Sequence, residues 1–258
     1  MNELLIISLV AFLVSVVAGM LGLGGAVLLI PAFLYLVPLL GGRAMGMHDV
    51  SGLASVTVLA SSTFSMLVHR RRGNVDRRLV FTIGVPMVGM SLLGAFLSGG
   101  IDAELIKAVF AGMALLGAAL VILRRERPET DPQQPLHFSR IGAIAIAVGV
   151  GFFGGIAGAP GAFILSPLMM TVLKIPTRIT IGSTLGIALM SALAASIGKV
   201  ATGQVPLEAT AAAILATLPG SYIGSSLSHR MKTRSLRYAL ALVIGGVAVH
   251  MWYQIISS

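Results

Sequence analysis

The sequence predicts an all-α polytopic membrane protein made of two repeated halves, the second inverted relative to the first. Three observations carry this. The chain has 258 residues, of which 56% are hydrophobic and only 10% charged, a balance unsuited to a water-exposed surface. Charged residues are absent from Leu4 to Gly42, Val50 to Val68, Leu79 to Ile101, Ala108 to Leu123, Ile141 to Leu173, Ile179 to Gly198, Ala209 to Ser228 and Tyr238 to Ser258. Most of these stretches approach the ~20 residues a helix needs to cross the hydrocarbon core. Finally, a glycine-proline pattern occurs twice, as Gly19-x-x-Gly22-x-x-Gly25 followed by Pro31 and as Gly155-x-x-Gly158-x-x-Gly161 followed by Pro167.

The two halves, residues 1–123 and 140–258, keep a common register. Gly52, Gly73 and Gly94 match Gly182, Gly203 and Gly224 at one constant offset, and Gly73-Asn74-Val75 faces Gly203-Gln204-Val205. The first half carries a short insertion around Val37 to Gly42. Such self-similarity is the mark of an internal repeat. Five apolar segments are expected in each half, at about 4–20, 25–41, 49–69, 79–99 and 104–123, then 140–157, 161–173, 178–198, 207–228 and 235–255. Five is odd, so the second half is inverted. The first two segments of each half are expected to be short, reaching about 20 to 25 Å against a core of ~30 Å. Either they tilt and neighbours complete them, or each pair forms a re-entrant hairpin with its glycine turn inside the membrane. The total is eight to ten membrane segments. In the hairpin case the two turns enter from opposite faces and approach each other near the midplane, as in many secondary transporters.

The net charge of +9 reflects orientation rather than a nucleic-acid partner. Basic residues cluster beside apolar segments, at Arg70 to Arg72 with Arg77 and Arg78, at Arg124, Arg125 and Arg127, and at Arg230, Lys232, Arg234 and Arg237. With both termini outside, every Lys and Arg except Arg43, Lys107 and Lys199 lies in a loop expected inside, as the positive-inside rule requires. Residues 124–139, containing Pro128, Pro132 and Pro135, are expected to form a cytoplasmic linker. The first apolar segment has no preceding basic region, so it is expected to be a retained helix. The chain has no cysteine, its five histidines are scattered, and its acidic residues sit at segment ends or in loops. Buried acid-base or metal chemistry lacks its usual groups, so neither catalysis nor a metal or other cofactor is expected.

Breaking a helix in apolar sequence is tolerable only where the freed N–H and C=O groups face protein or a water-filled cavity. Glycines at this spacing allow either close helix packing or a chain reversal at φ > 0. Under the second reading, short helices starting near Ala26 and Ala162 direct unsatisfied amides at the midplane, an arrangement that suits an anion. Gly22 to Gly25 is not followed by Lys-Ser or Lys-Thr, so it is not a phosphate-binding loop. The candidate substrate-binding residues are Gly22, Gly24, Gly25, Gly158, Pro160 and Gly161 at the turns. Ser51, Gly52 and Ser55, with Arg178, Gly182, Ser183 and Thr184, are candidates near the starts of the third segments. The competing reading has these hydroxyls bonded to helix carbonyls or neighbouring helices. His48 and Asp49 are candidates for proton exchange; the competing reading has them, like Arg178, marking helix ends. Lys199 and His69 close the third segments at equivalent positions and are expected to snorkel to the interface.

The glycine clusters before Pro31 and Pro167, together with Gly182-Ser183-Thr184, resemble the TauE/SafE family of membrane transporters over nearly the whole chain. That family has a run of glycines where this chain has Gly24-Gly25-Ala26 and Pro160-Gly161-Ala162. It has Gly-Thr-Ser where this chain has Gly182-Ser183-Thr184 and Gly52-Leu53-Ala54. The resemblance implies a transporter exporting a small sulfur-containing anion, such as sulfite or sulfoacetate, across a prokaryotic cytoplasmic membrane by alternating access. Its expected partners are the anion and the lipid bilayer, with a homodimer left open. An anion channel of the same architecture and a membrane scaffold stand as alternatives.

Overall fold

The structure, a computed structural model, describes residues 3–21, 25–71, 74–123, 138–159, 161–228, 230–231 and 233–257. Among them are helices and no strands: α1 (Glu3–Leu21), α2, α3 (Met47–Arg71), α4 (Arg77–Leu97), α5 (Ala103–Leu123), α6 (Arg140–Ala157), α7 (Ala162–Thr171), α8 (Thr177–Ala201), α9 (Leu207–Ser228) and α10 (Thr233–Ser257). Helix α2 starts as Ala26–Pro31, widens to a π-helix over Ala32–Leu36 and ends with Val37–Leu39. The widening follows Pro31, which has no N–H to give and whose ring crowds the preceding turn. Most of the expected linker, residues 124–137, lies outside the described residues.

Local chemistry sets several boundaries. Asp76 caps α4 by accepting from Leu79 N at 2.7 Å, and Ser139 caps α6 by accepting from Gly142 N at 3.2 Å. Helix α6 ends on Gly158 in the left-handed region (φ +67), and Gly25 and Gly161 precede the short helices at φ +104 and +68. Helices α1 and α6 have 19 and 18 residues and are long enough to span, which corrects the expectation that the first two segments of each half are both short. They run on because Gly19 and Gly155 stay helical and pack, against Ser221 and Ser91. The shortfall is confined to α2 and α7, which extend only about 20 Å and 15 Å at 1.5 Å per residue.

Among the described residues six helices, α1, α3, α4, α5, α6 and α8, are long and apolar enough to cross a membrane. Of these, α8 is the most enclosed, with 78% of its most apolar stretch buried, followed by α3 at 61%, against 39% to 44% for the other four. Around this central pair α1 lies along α9, α4 along α6 and α8, and α5 along α10. Large apolar side chains on the periphery, among them Ile141, Leu215, Leu242 and Val249, are exposed and suit lipid contact.

Apolar side chains gain nothing by leaving lipid for a neighbouring helix, so helices here associate through close packing. Backbone-to-backbone contact provides it. A Cβ at Gly224 would lie 2.0 Å from Val16 O, and one at Gly94 2.2 Å from Phe152 O, whereas Gly149 faces open space. We therefore expect Gly224→Ala and Gly94→Ala each to lower the unfolding temperature of the detergent-solubilised protein, and Gly149→Ala to cause no loss. Thermal unfolding followed by size-exclusion fluorescence checks this.

Candidate functional site

Helices α3 and α8 run antiparallel, and each receives the turn that follows the other. A Cβ at Gly52 would lie 2.0 Å from Gln204 O, and a Cβ at Gly182 would lie 2.2 Å from Asn74 O. Only glycine admits a carbonyl at that distance. The two contacts sit near opposite ends of the seam, called here the Gln204 end and the Asn74 end.

At the Gln204 end the seam encloses a lysine. Lys199, in the last turn of α8, is 0% exposed. Its ammonium donates to Ser51 Oγ at 2.8 Å, to Gln204 Oε1 at 2.9 Å and to Ile156 O at 3.1 Å. Ser51 Oγ in turn donates to His48 O at 2.9 Å, while Gln204 Nε2 donates to Ser98 Oγ at 3.1 Å and Thr202 Oγ1 at 2.7 Å. Residues from α3, α6 and α8, together with the turns after α4 and α8, thus form one network. All three acceptors of the ammonium are neutral. Among the described residues the only ion pair is Lys107–Glu104, at a surface. Burying a cation away from a counter-charge is costly unless its donors are satisfied, and here the three oxygens satisfy them.

The snorkelling expected of Lys199 is therefore overturned. Gly198 brings the last turn of α8 so close to α4 that a Cβ there would sit 2.6 Å from that of Ala95. Gly158 brings its turn onto α3, where a Cβ would lie 2.2 Å from Ser51 O. These close approaches wall the lysine off and leave the inward oxygens as its partners. The side chain of His69, its counterpart, lies outside the described residues.

The structure brings Ser51, Gly52 and Gly158 together around this network. Ser55 is buried beside it but donates to its own helix at Gly52 O, 2.8 Å. His48 Nε2 pairs with Ile101 O at 3.0 Å, and Asp49 is exposed in the first turn of α3, where a carboxylate complements the helix dipole. At the Asn74 end, Ser183 Oγ accepts from Asp76 N at 3.0 Å and Thr184 Oγ1 accepts from Ser166 Oγ at 3.4 Å. Arg178 Nη2 donates to Met231 O at 3.3 Å. A cavity of about 440 Å³ opens near this end, bordered by Met66, Arg70, Arg77, Phe81, Gly186 and Met190.

The two glycine turns stand apart. Gly25, whose carbonyl accepts from Leu29 N at 2.9 Å, meets α3 near Ser61. Gly158 meets α3 at Ser51, about 15 Å away along the helix at 1.5 Å per residue. Gly161 accepts from Leu165 N at 2.8 Å and packs on Val150 and Met87. Each turn thus meets the bundle at its own depth. Gly22, Gly24 and Pro160 lie outside the described residues.

Sequence reasoning missed Lys199, Gln204 and Ser98 as site residues. One signal was present, the repeat of Gly73-Asn74-Val75 as Gly203-Gln204-Val205, which put an amide at matching turns of both halves.

Comparison with known proteins finds an exporter family and relatives named as probable membrane transporters. The family description "Sulfite exporter TauE/SafE" matches residues 7–251. Among curated relatives, the Probable membrane transporter protein YdhB of Bacillus subtilis (strain 168) is 28% identical over 92% of this chain and 96% of its own length. A Probable membrane transporter protein of Haemophilus influenzae is 25% identical over 97% of this chain and 98% of its own length. No solved structure matches. With apolar helices able to cross a bilayer and a family match over nearly its full length, the chain is a multi-pass membrane protein belonging to the TauE/SafE family.

Proposed function

We propose that the protein is a secondary transporter, not an enzyme, that moves a small sulfur-containing anion such as sulfite or sulfoacetate across a prokaryotic cytoplasmic membrane by alternating access. One observation carries this reading. The seam between α3 and α8 has a matching seal at each end, Gln204 on Gly52 and Asn74 on Gly182. Alternating access needs two barriers that open in turn at opposite faces, whereas a channel needs only one gate, so the paired seals favour a transporter.

In this reading residues 1–123 and 140–258 are inverted repeats joined by the linker. The packing supports it, since the first helix of each half lies along the fourth helix of the other, α1 on α9 and α6 on α4. Arg70, Arg77, Lys174 and Arg178 gather towards the Asn74 end, which becomes the cytoplasmic face, with both termini outside. The anion passes along the seam between the two glycine turns. It contacts Ser51, Gly52, Gly158, Gly182, Ser183 and Thr184 and is drawn in by Arg178. The sulfur-containing substrate is supported by the family description alone.

The absence of native cysteine allows a direct test. In proteoliposomes, oxidising an Asp76→Cys, Ser183→Cys pair is expected to stop sulfite or sulfoacetate transport, and a reductant to restore it. Full transport by the cross-linked protein would rule out alternating access. A leucine at Gly161 would adopt φ +68, with its Cβ 2.3 Å from Val150 Cγ1. Gly161→Leu should therefore insert into the membrane yet lose transport, as shown by membrane fractionation alongside the flux assay.

A further inference from the structure

We propose that Lys199 is the anion-recognising group of this transporter, the cation that an incoming sulfite- or sulfonate-type oxyanion takes over from Gln204. The inference rests on the transport reading above and assigns its specificity to one side chain.

The argument begins with charge. The Lys199 ammonium is fully enclosed, and its three donors meet a hydroxyl, an amide oxygen and a backbone carbonyl. The acidic residues that flank the network in the chain, Asp49, Asp102 and Glu208, are exposed. Neutral oxygens satisfy the donors but leave the charge uncompensated, and a charge-assisted bond to an anionic oxygen is stronger than any of the three. An oxyanion is therefore the better acceptor, provided it can reach the ammonium.

Exchange chemistry comes next. Gln204 Nε2 is already held by Ser98 and Thr202, so releasing Oε1 from the lysine leaves the amide anchored. An oxyanion with three oxygens then accepts from the ammonium, and Ser51 Oγ donates to it by rotating away from His48 O. Lysine suits this exchange. Its compact ammonium on a flexible stem changes partners without the fixed planar geometry of a guanidinium.

Binding and opening are then linked. Gln204 is also the residue whose carbonyl fills the space at Gly52, so the anion-binding lysine and the seal at this end of the seam meet in one residue. A ligand that binds better when this end is open shifts the population towards that state.

The test uses the full-length protein, purified and also reconstituted, with sulfite and sulfoacetate as probes. For wild type, each transported anion should raise the unfolding temperature. Lys199→Met should lose that increase and cut transport about tenfold or more, the factor expected for losing one charge-assisted hydrogen bond; Lys199→Arg should retain part of both. Gln204→Glu places a carboxylate on the ammonium. This variant should unfold at a higher temperature than wild type without anion and should not respond to added anion, which keeps the proposal testable if Lys199→Met fails to fold. An anion response of wild-type size in either Lys199→Met or Gln204→Glu would overturn the assignment of Lys199 while leaving the transport reading intact. Absence of any response or flux in wild type would overturn the transport reading itself.

Discussion

Backbone packed directly on glycine, at Gly52 and at Gly182, is the contact around which this bundle is arranged. Lipid supplies no hydrophobic force to drive helices together, so attraction depends on how closely their backbones approach. At these two positions an incoming carbonyl occupies the space where any other residue would hold a Cβ. The same device recurs around the periphery, where Gly224 meets Val16 and Gly94 meets Phe152. Helices α3 and α8 are consequently the most enclosed of the spans, and most of the hydroxyls they carry are buried.

Two kinds of polar group result from that enclosure. Several hydroxyls on the central helices are satisfied within their own helix, as when Thr57 donates to Leu53 O at 2.7 Å and Ser191 to Ile187 O at 3.1 Å. Such bonds are local and bind a helix to nothing else. Others reach across, including Ser183, which accepts from Asp76 N at 3.0 Å, and Thr184, which accepts from Ser166 Oγ at 3.4 Å. The Lys199 network belongs with these, but it joins five elements and holds a charge. It lies beside a seal, so the packing that closes the seam and the electrostatics of the ammonium act on the same residues.

Much of the architecture was legible in the sequence. Uncharged stretches marked the long helices, and the paired glycines marked the reversals at Gly25, Gly158 and Gly161, which do adopt positive φ. Both features are local, since helix length follows from an uninterrupted apolar run and a reversal needs a residue without a side chain. The errors also have local causes. Helices α1 and α6, expected to be short, are long enough to span because Gly19 and Gly155 pack on neighbours within the helix rather than turning the chain, and a glycine that packs has the same sequence signature as one that bends.

The sequence by itself determined a membrane-embedded helical bundle and the positions of its breaks, because hydropathy and glycine spacing act along the chain. Only the tertiary structure decided which polar residues are enclosed together. Lys199 reads as an interfacial lysine until Ser51, 148 residues away in the chain, is brought within 2.8 Å of its ammonium. Burial is a property of neighbours supplied by other helices, and no pattern within α8 states which oxygens will face that side chain.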